Sequence, residues 1–338
     1  MPTPAPTHDP SRRLRVAICS DIHYASAGEE RRGEEYEFRA ITNPLARWAF
    51  RAYRHGFWMR HTLRNNPLLD AFLREADGCE YAVANGDYAA DTAFLGVSDA
   101  ATFESVRLCL EKLRGRFGSK LLAGLGDHEL GKHSFFGHYG GMRLAGWWRA
   151  HAELGLRGFW REDFGHYVFL GVASSLVALP AFEPDLLPEE REEWHRLRNE
   201  HLAQVRDAFA GLDASRRVVL FCHDPTALPF LARESAVRAR LVQIELTVIG
   251  HLHSNLILWK SRLLAGMPRI SFLGSSIQRM SGALREAREW RPFRVRLCPA
   301  LAGIQVQRGG GWCSLELDLA GEAPLTFRTH PLRRGAGG

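Results

Sequence analysis

Leu121-Leu122-Ala123-Gly124-Leu125-Gly126-Asp127-His128-Glu129-Leu130 carries an apolar run into a tight turn, a carboxylate and an imidazole. The run predicts a buried strand. The polar residues at its end predict a loop that presents side chains to a ligand, since ligands collect at strand ends in α/β sheets. Alone, a Gly-Asp-His turn says little, because Gly and Asp favour turns anywhere. Four further clusters repeat the pattern. Leu14–Ser20 reads as a strand running into Asp21 and His23, and Tyr81–Ala84 runs into Asn85-Gly86-Asp87. Arg217–Cys222 ends at His223-Asp224, and Leu246–Ile249 ends at Gly250-His251-Leu252-His253. If these strands share one central sheet, their ends converge.

Between them the pattern alternates. Helices are predicted over Asp70–Ala76, Ala101–Phe117 and Glu189–Ala210, with Val106, Leu110 and Leu113 on the apolar face of the second. Tyr167–Ala173 and Ile270–Leu273 read as further strands. Ile304–Gln307, Cys313–Leu319 and Leu325–Thr329 read as terminal antiparallel strands. Residues 131–146 are glycine-rich and predict a flexible loop carrying His133 and His138 near the site. Residues 1–11 are punctuated by four prolines and predict disorder. Residues 12–334 then read as one domain.

The chain has 338 residues, 46% hydrophobic and 24% charged, which is ample for a core. Its net charge of +6 suits an anionic partner without naming one. None of the six cysteines forms a C-x-x-C pair, and a disulfide framework is not expected at this size and spacing. No apolar run is long enough to span a bilayer, and the first residues lack a signal-peptide core. A cytoplasmic protein is the expectation. No nucleic-acid-binding motif stands out beyond charge, so nucleic acid is not an expected partner.

Collected, the strand-end candidates are Asp21, His23, Asp87, Asp127, His128, His223, His251 and His253. Carboxylates with imidazoles bind divalent manganese, iron or zinc. The set is too large for one catalytic ion, which usually takes three protein ligands. It fits two ions sharing a carboxylate.

In its order, each motif following an apolar strand, this series resembles the calcineurin-like metallophosphoesterases, over nearly the whole folded chain. The resemblance implies a four-layer α/β/β/α sandwich and hydrolysis of a phosphoester or pyrophosphate. It implies two divalent metal ions, manganese first, with iron or zinc as alternatives. Asp21, His23, Asp87 and His253 would hold one metal. Asp127, His223 and His251 would hold the other, with Asp87 as the bridge. His128 would be catalytic, giving a hydrogen bond or proton to the leaving oxygen. Glu129 and Asp224 would support the ligands. The family normally has a neutral Asn where this chain has Asp127, which adds a negative charge to the site.

Residues 28–69 stand apart as an insert between the first two clusters. From Phe38 to Leu69 there is no acidic residue, and arginines alternate with aromatics. At helical spacing Arg47, Arg51 and Arg54 share one face, while Leu45, Trp48 or Ala49, Ala52 and Gly56 share another. Two readings stand. Trp48, Tyr53 and Phe57 pack on the domain, or the segment is a lid that binds substrate through Arg47, Arg51, Arg54, Trp48 and Trp58. The second reading is similar in style to the lid-bearing family members that hydrolyse UDP-2,3-diacylglucosamine in lipid A synthesis. It implies a phosphorylated, lipid-linked substrate and peripheral contact with an anionic membrane surface on its inner face. A soluble nucleotide phosphodiesterase or phosphomonoesterase is the alternative, and a non-catalytic scaffold is a third.

Overall fold

The structure is a computed structural model, and it describes residues 13–39, 41–58, 61–132, 139–268, 275–304 and 310–332. Its ten strands are β1 (Arg13–Cys19), β2 (Tyr81–Ala84), β3 (Leu121–Ala123), β4 (Phe159–Phe164), β5 (Tyr167–Val172), β6 (Arg217–Cys222), β7 (Ile244–Ile249), β8 (Val295–Leu297), β9 (Gly310–Asp318) and β10 (Thr326–Leu332). They form two five-stranded sheets, ordered β10-β9-β1-β2-β3 and β4-β5-β6-β7-β8. The strands that carry the candidate ligands run parallel to one another within each sheet, β1 to β2 and β2 to β3 in the first and β6 to β7 in the second, while β1's other neighbour, β9, is antiparallel.

The two faces of each strand explain the layering. Leu14, Val16 and Ile18 of β1 and Tyr81 and Val83 of β2 turn inward. They meet Phe169 of β5, Val219 and Phe221 of β6 and Val248 of β7 in one core between the sheets. The intervening residues, Ala17 and Cys19 of β1 or Leu220 and Cys222 of β6, turn outward into a core shared with helices. On the first sheet the Asn66–Glu75 helix sets Phe72 edge-on to Trp312 of β9, with ring centroids 5.6 Å apart. On the second the Arg191–Ala210 helix sets His201 against Phe159 of β4. The result is the α/β/β/α sandwich. Period-two side-chain placement with both faces buried is what a strand between a sheet and a helix layer requires.

Several expectations change. The five ligand-bearing strands do not share one sheet: three lie in the first and two in the second, and the clusters meet where the two sheets' ends face each other. β3 is three residues long and only half buried, because it is an edge strand. The chain after it forms a short helical turn, Asp127–Leu130. The glycine-rich segment ends earlier than expected, in a helix over Leu144–Ala152 that buries Trp147. β4 and β8 were not predicted. β4 reads FWREDF, whose three consecutive charges hide its alternation, as suits an edge strand. The expected disorder of 1–11, the strand over 270–273, the segment 305–307 and His133 and His138 lie outside the described residues.

His201 offers a clean test of this packing. It is buried under the second sheet, and burial lowers its pKa to about 3 from the ordinary 6.5. A base held neutral in the fold must bind a proton on unfolding at low pH. Its contribution is therefore present above pH 6.5 and is lost as pH falls from 6.5 toward 3. At pH 5.5 wild type should lose about 1.4 kcal/mol relative to pH 7.5 that His201→Phe does not lose, as measured by urea unfolding of both proteins.

Candidate metal centre

The candidate ligands are set on tight turns stitched by backbone hydrogen bonds between clusters. Asp21 N–H donates to Gly86 O at 3.1 Å, Ile22 N–H to Asp87 O at 2.8 Å, and Gly250 N–H to His223 O at 3.0 Å. Eight described non-glycine residues have a left-handed backbone, and five of them are candidate ligands: Asp21, His23, Asp87, His251 and His253, with φ between 50° and 58°. Each such residue costs about 1–3 kcal/mol, with Asp and His toward the low end. Five together are comparable to the net stability of a domain, roughly 5–15 kcal/mol. Strain of that size persists where the surrounding packing imposes it.

The side chains converge. Asp87, Asp127, His223 and His251 form one group whose donor atoms lie within 4.8 Å of one another, and Asp21, His23 and His253 form a second. Asp87 also joins His23 and His128 in a third, so Asp87 stands between the two sides. His223 Nε2 lies 3.1 Å from Asp87 Oδ2 and 3.5 Å from Asp127 Oδ1. His251 Nδ1 lies 3.2 Å from Asp127 Oδ1, and His253 Nε2 lies 3.2 Å from Asp21 Oδ1. Yet Asp21 Oδ1 and His223 Nε2 are buried without a hydrogen bond, as are His128 Nδ1 and His253 Nδ1. Buried polar atoms are nearly always satisfied. Donor atoms that crowd together unbonded fit a divalent cation between them.

The outer contacts orient the rings. His223 Nδ1 donates to Asn85 O at 2.7 Å and His23 Nδ1 to Ala89 O at 3.2 Å, so in each neutral ring Nε2 keeps its lone pair for the cluster. Glu129 accepts from the backbone N–H of Gly126 at 2.8 Å, Asp87 at 3.0 Å and Tyr88 at 2.8 Å. It thereby ties the β2 and β3 loops together. Asp224 Oδ2 stands 3.8 Å from His251 Nε2. A Cβ on Gly250 would come within 2.5 Å of Asp21 Oδ2 and 3.0 Å of His223 Nδ1, so only glycine lets these residues close.

The metal-free charges are strongly perturbed. Burial and Asp127 push the Asp87 carboxyl up, but His128 and His223 hold it well below the usual range. Burial likewise opposes the net lowering of Asp127, which Lys132 and His251 produce. Against burial, Asp87 and Asp21 raise His223 well above 6.5, and Asp224 and Asp127 raise His251 to about 9. His128 goes the other way, lowered by burial to about 3. It is a neutral imidazole, and its backbone N–H holds Asp87 Oδ1 at 3.0 Å.

The residues of the insert divide. Trp58 reaches the cluster, its ring 4.7 Å from that of His253. Arg51 pairs with Glu35, Arg54 Nε pairs with Glu37 at 3.0 Å, and Arg47 Nε donates to Ile41 O at 2.8 Å. The three arginines thus have partners inside the insert. Leu45 and Trp48 on the Pro44–Tyr53 helix are 78% and 71% exposed, so the helix turns its basic face in and its apolar face out. Sequence reasoning passed over Glu29, a buried carboxylate that accepts from Thr92 N–H and Ser105 Oγ, and Lys132 beside Asp127. Neither sits at a strand end.

No family model matches the chain, and no curated protein matches it. Among solved structures it is similar to a purple acid phosphatase from yellow lupin (Lupinus luteus) seeds. The identity is 14% and the TM-score 0.37, over 72% of this chain and 38% of that one. It is also similar to a phosphopantetheinyl hydrolase from Mycobacterium tuberculosis, at 17% identity and TM-score 0.35, over 72% of this chain and 84% of that one. The chain spans well under half of the lupin protein. The reading of the site rests on its own geometry.

Ligands must be deprotonated to bind a cation, so His223 and His251 must release protons. Metal affinity should rise with pH up to about 9 and fall below it. Calorimetry of Mn2+ binding at pH 7.5 in buffers of different ionisation enthalpy should show more than one proton released per chain. Binding without proton release would contradict the ligand assignment.

Proposed function

We propose that this chain is a hydrolase of phosphoesters or pyrophosphates that works with two divalent metal ions, manganese being the first candidate. The observation that supports it is the convergence of strained, unbonded Asp and His donors at the meeting sheet ends. Asp21, His23, Asp87 and His253 would hold one ion, and Asp87, Asp127, His223 and His251 the other. Bound there, the ions would lower the pKa of a water and neutralise charge on the phosphoryl oxygens. His128 acts as a neutral ring, so its part is to donate a hydrogen bond to the leaving oxygen. Asp224 holds His251 from behind, and Trp58 covers the His253 side.

For the substrate, we propose an amphiphilic phosphate met at an anionic membrane surface, a nucleotide-sugar such as UDP-2,3-diacylglucosamine being the leading example. The support is a surface beside the site. Six of the eight strongly exposed large hydrophobics among the described residues lie on two neighbouring segments. Leu45, Trp48 and Tyr53 belong to the Pro44–Tyr53 helix. Trp259, Leu263 and Leu264 belong to the Asn255–Leu263 helix and its end. Lys260 Nζ lies 5.3 Å from the Phe57 ring and joins the two. The second helix begins two residues after His253. Neither 38–69 nor 254–285 contains an acidic residue. Exposed Trp and Leu among basic residues suit the interface of an anionic bilayer.

Two experiments test this. The Mn2+-loaded protein should hydrolyse bis(p-nitrophenyl) phosphate and lose that activity to a chelator; a metal-loaded but inert protein would favour the scaffold. Full-length protein should co-sediment with vesicles containing phosphatidylglycerol, and Trp48→Glu with Trp259→Glu should weaken this at least tenfold. Failure of the wild-type protein to sediment with the vesicles would remove the membrane from the proposal and leave soluble nucleotides, assayed against UDP-2,3-diacylglucosamine, as the substrates, and equal sedimentation of both proteins would remove Trp48 and Trp259 as the contact.

A further inference from the structure

Lys132 lies against the Asp and His cluster, and the proposed chemistry does not use it. Its backbone is pinned on both sides: its N–H donates to Phe94 O at 3.3 Å, and its carbonyl accepts from Gly141 N–H at 2.9 Å. The side chain, one-fifth exposed, turns into the cluster. Its Nζ lies 3.1 Å from Asp127 Oδ2 and contacts His128 Nε2. Lysine is rarely buried unless paired, so the position is a specific one.

The charges make it stranger. A centre built to hold two divalent cations gains nothing from an ammonium, which repels both. Asp127, by contrast, presents Oδ1 to His223 and His251 and keeps Oδ2 for Lys132. One oxygen of this carboxylate faces the metal side and the other faces the ammonium. The pair Asp127–Lys132 therefore adds no net charge to the centre, as a neutral oxygen ligand would. What it adds is a tethered, partly exposed cation at the side of the cluster, next to His128. A compact ammonium with three donors is a phosphate partner.

We infer that Lys132 is a substrate-binding residue of this centre, its ammonium held by Asp127 and offered to a phosphoryl oxygen beside His128. The inference rests on the proposal that the site takes two metals and a phosphate. The ammonium keeps its bond to Asp127 Oδ2 and donates another proton to the anion. No covalent step is involved. The cost is weaker metal binding, and the gain is affinity for the anion.

The test is a binding cycle on the full chain, read by calorimetry with Mn2+ alone and then with inorganic phosphate added to Mn2+-loaded protein. Lys132→Met removes the repelling charge, so Mn2+ should bind about tenfold tighter while phosphate binds about tenfold weaker, each about 1.4 kcal/mol. Asp127→Asn leaves the ammonium uncompensated and should weaken Mn2+. Asp127→Asn with Lys132→Met should bring Mn2+ affinity back to within about threefold of wild type. Lys132→Arg should keep phosphate binding, and Lys132→Gln, which keeps a polar end in place, should lose it. Circular dichroism confirms folding of each. Wild-type Mn2+ binding with phosphate affinity indifferent to Lys132→Met and Lys132→Gln overturns the assignment of Lys132 alone. A wild-type chain that binds no divalent metal overturns the assignment together with the proposal beneath it.

Discussion

Three carboxylates and five imidazoles are held in overlapping groups, mostly buried, in each of which the donor atoms lie within 4.8 Å of one another, and several of those atoms are unbonded. That juxtaposition is costly in every respect: like charges are close, polar atoms are unsatisfied, and five backbones are left-handed. The rest of the chain is arranged to impose it. Two sheets are stacked face to face, so that at one rim β1, β2 and β3 deliver ligands from one layer and β6 and β7 from the other. Gly250 removes the Cβ that would block closure. Glu129 gathers three amides from two loops, and the Asn85 and Ala89 carbonyls set the tautomers of His223 and His23. A divalent cation would relieve the first two of these costs, by neutralising the carboxylates and satisfying the unbonded donors, which is why the cluster reads as a metal centre rather than as a polar core.

Much of this was legible in the sequence because the strands announce themselves. β1, β2, β6 and β7 are short continuous apolar runs, each stopped by a polar cluster, and the structure places them within a residue or two of the expected bounds. The Ala100–Phe117 helix likewise buries Val106, Leu110 and Leu113 as its periodicity implies. What was not legible depends on tertiary context. The division of five strands between two sheets leaves no local signal. An edge strand such as β4 loses the apolar pattern, since one side faces solvent. Lys132 looks like any loop lysine until the fold turns it toward Asp127, and Glu29 looks like part of a solvated charged run until Thr92 and Ser105 close over it.

The insert reverses a general rule. An amphipathic helix ordinarily buries its apolar face. Here the basic face is taken up by Glu35, Glu37 and the Ile41 carbonyl, and the apolar face is left to water. Pairing the arginines locally neutralises a segment that is otherwise all cationic. It also leaves Leu45 and Trp48 exposed, and with Trp259 and Leu263 of the Asn255–Leu263 helix they make up the apolar flank proposed above. The strand-end chemistry and this flank meet at Trp58 and His253, which links the proposed reaction to the proposed surface through one ring contact.

The central claim is that the converging donors form a two-metal centre with Asp87 shared. Crystals grown with Mn2+ and measured at the manganese absorption edge test it most directly. Two anomalous peaks about 3.5–4 Å apart are expected. One should be contacted by Asp21, His23 and His253, the other by Asp127, His223 and His251, and both by Asp87. No peak among these residues, or a single ion bound elsewhere on the chain, would contradict it.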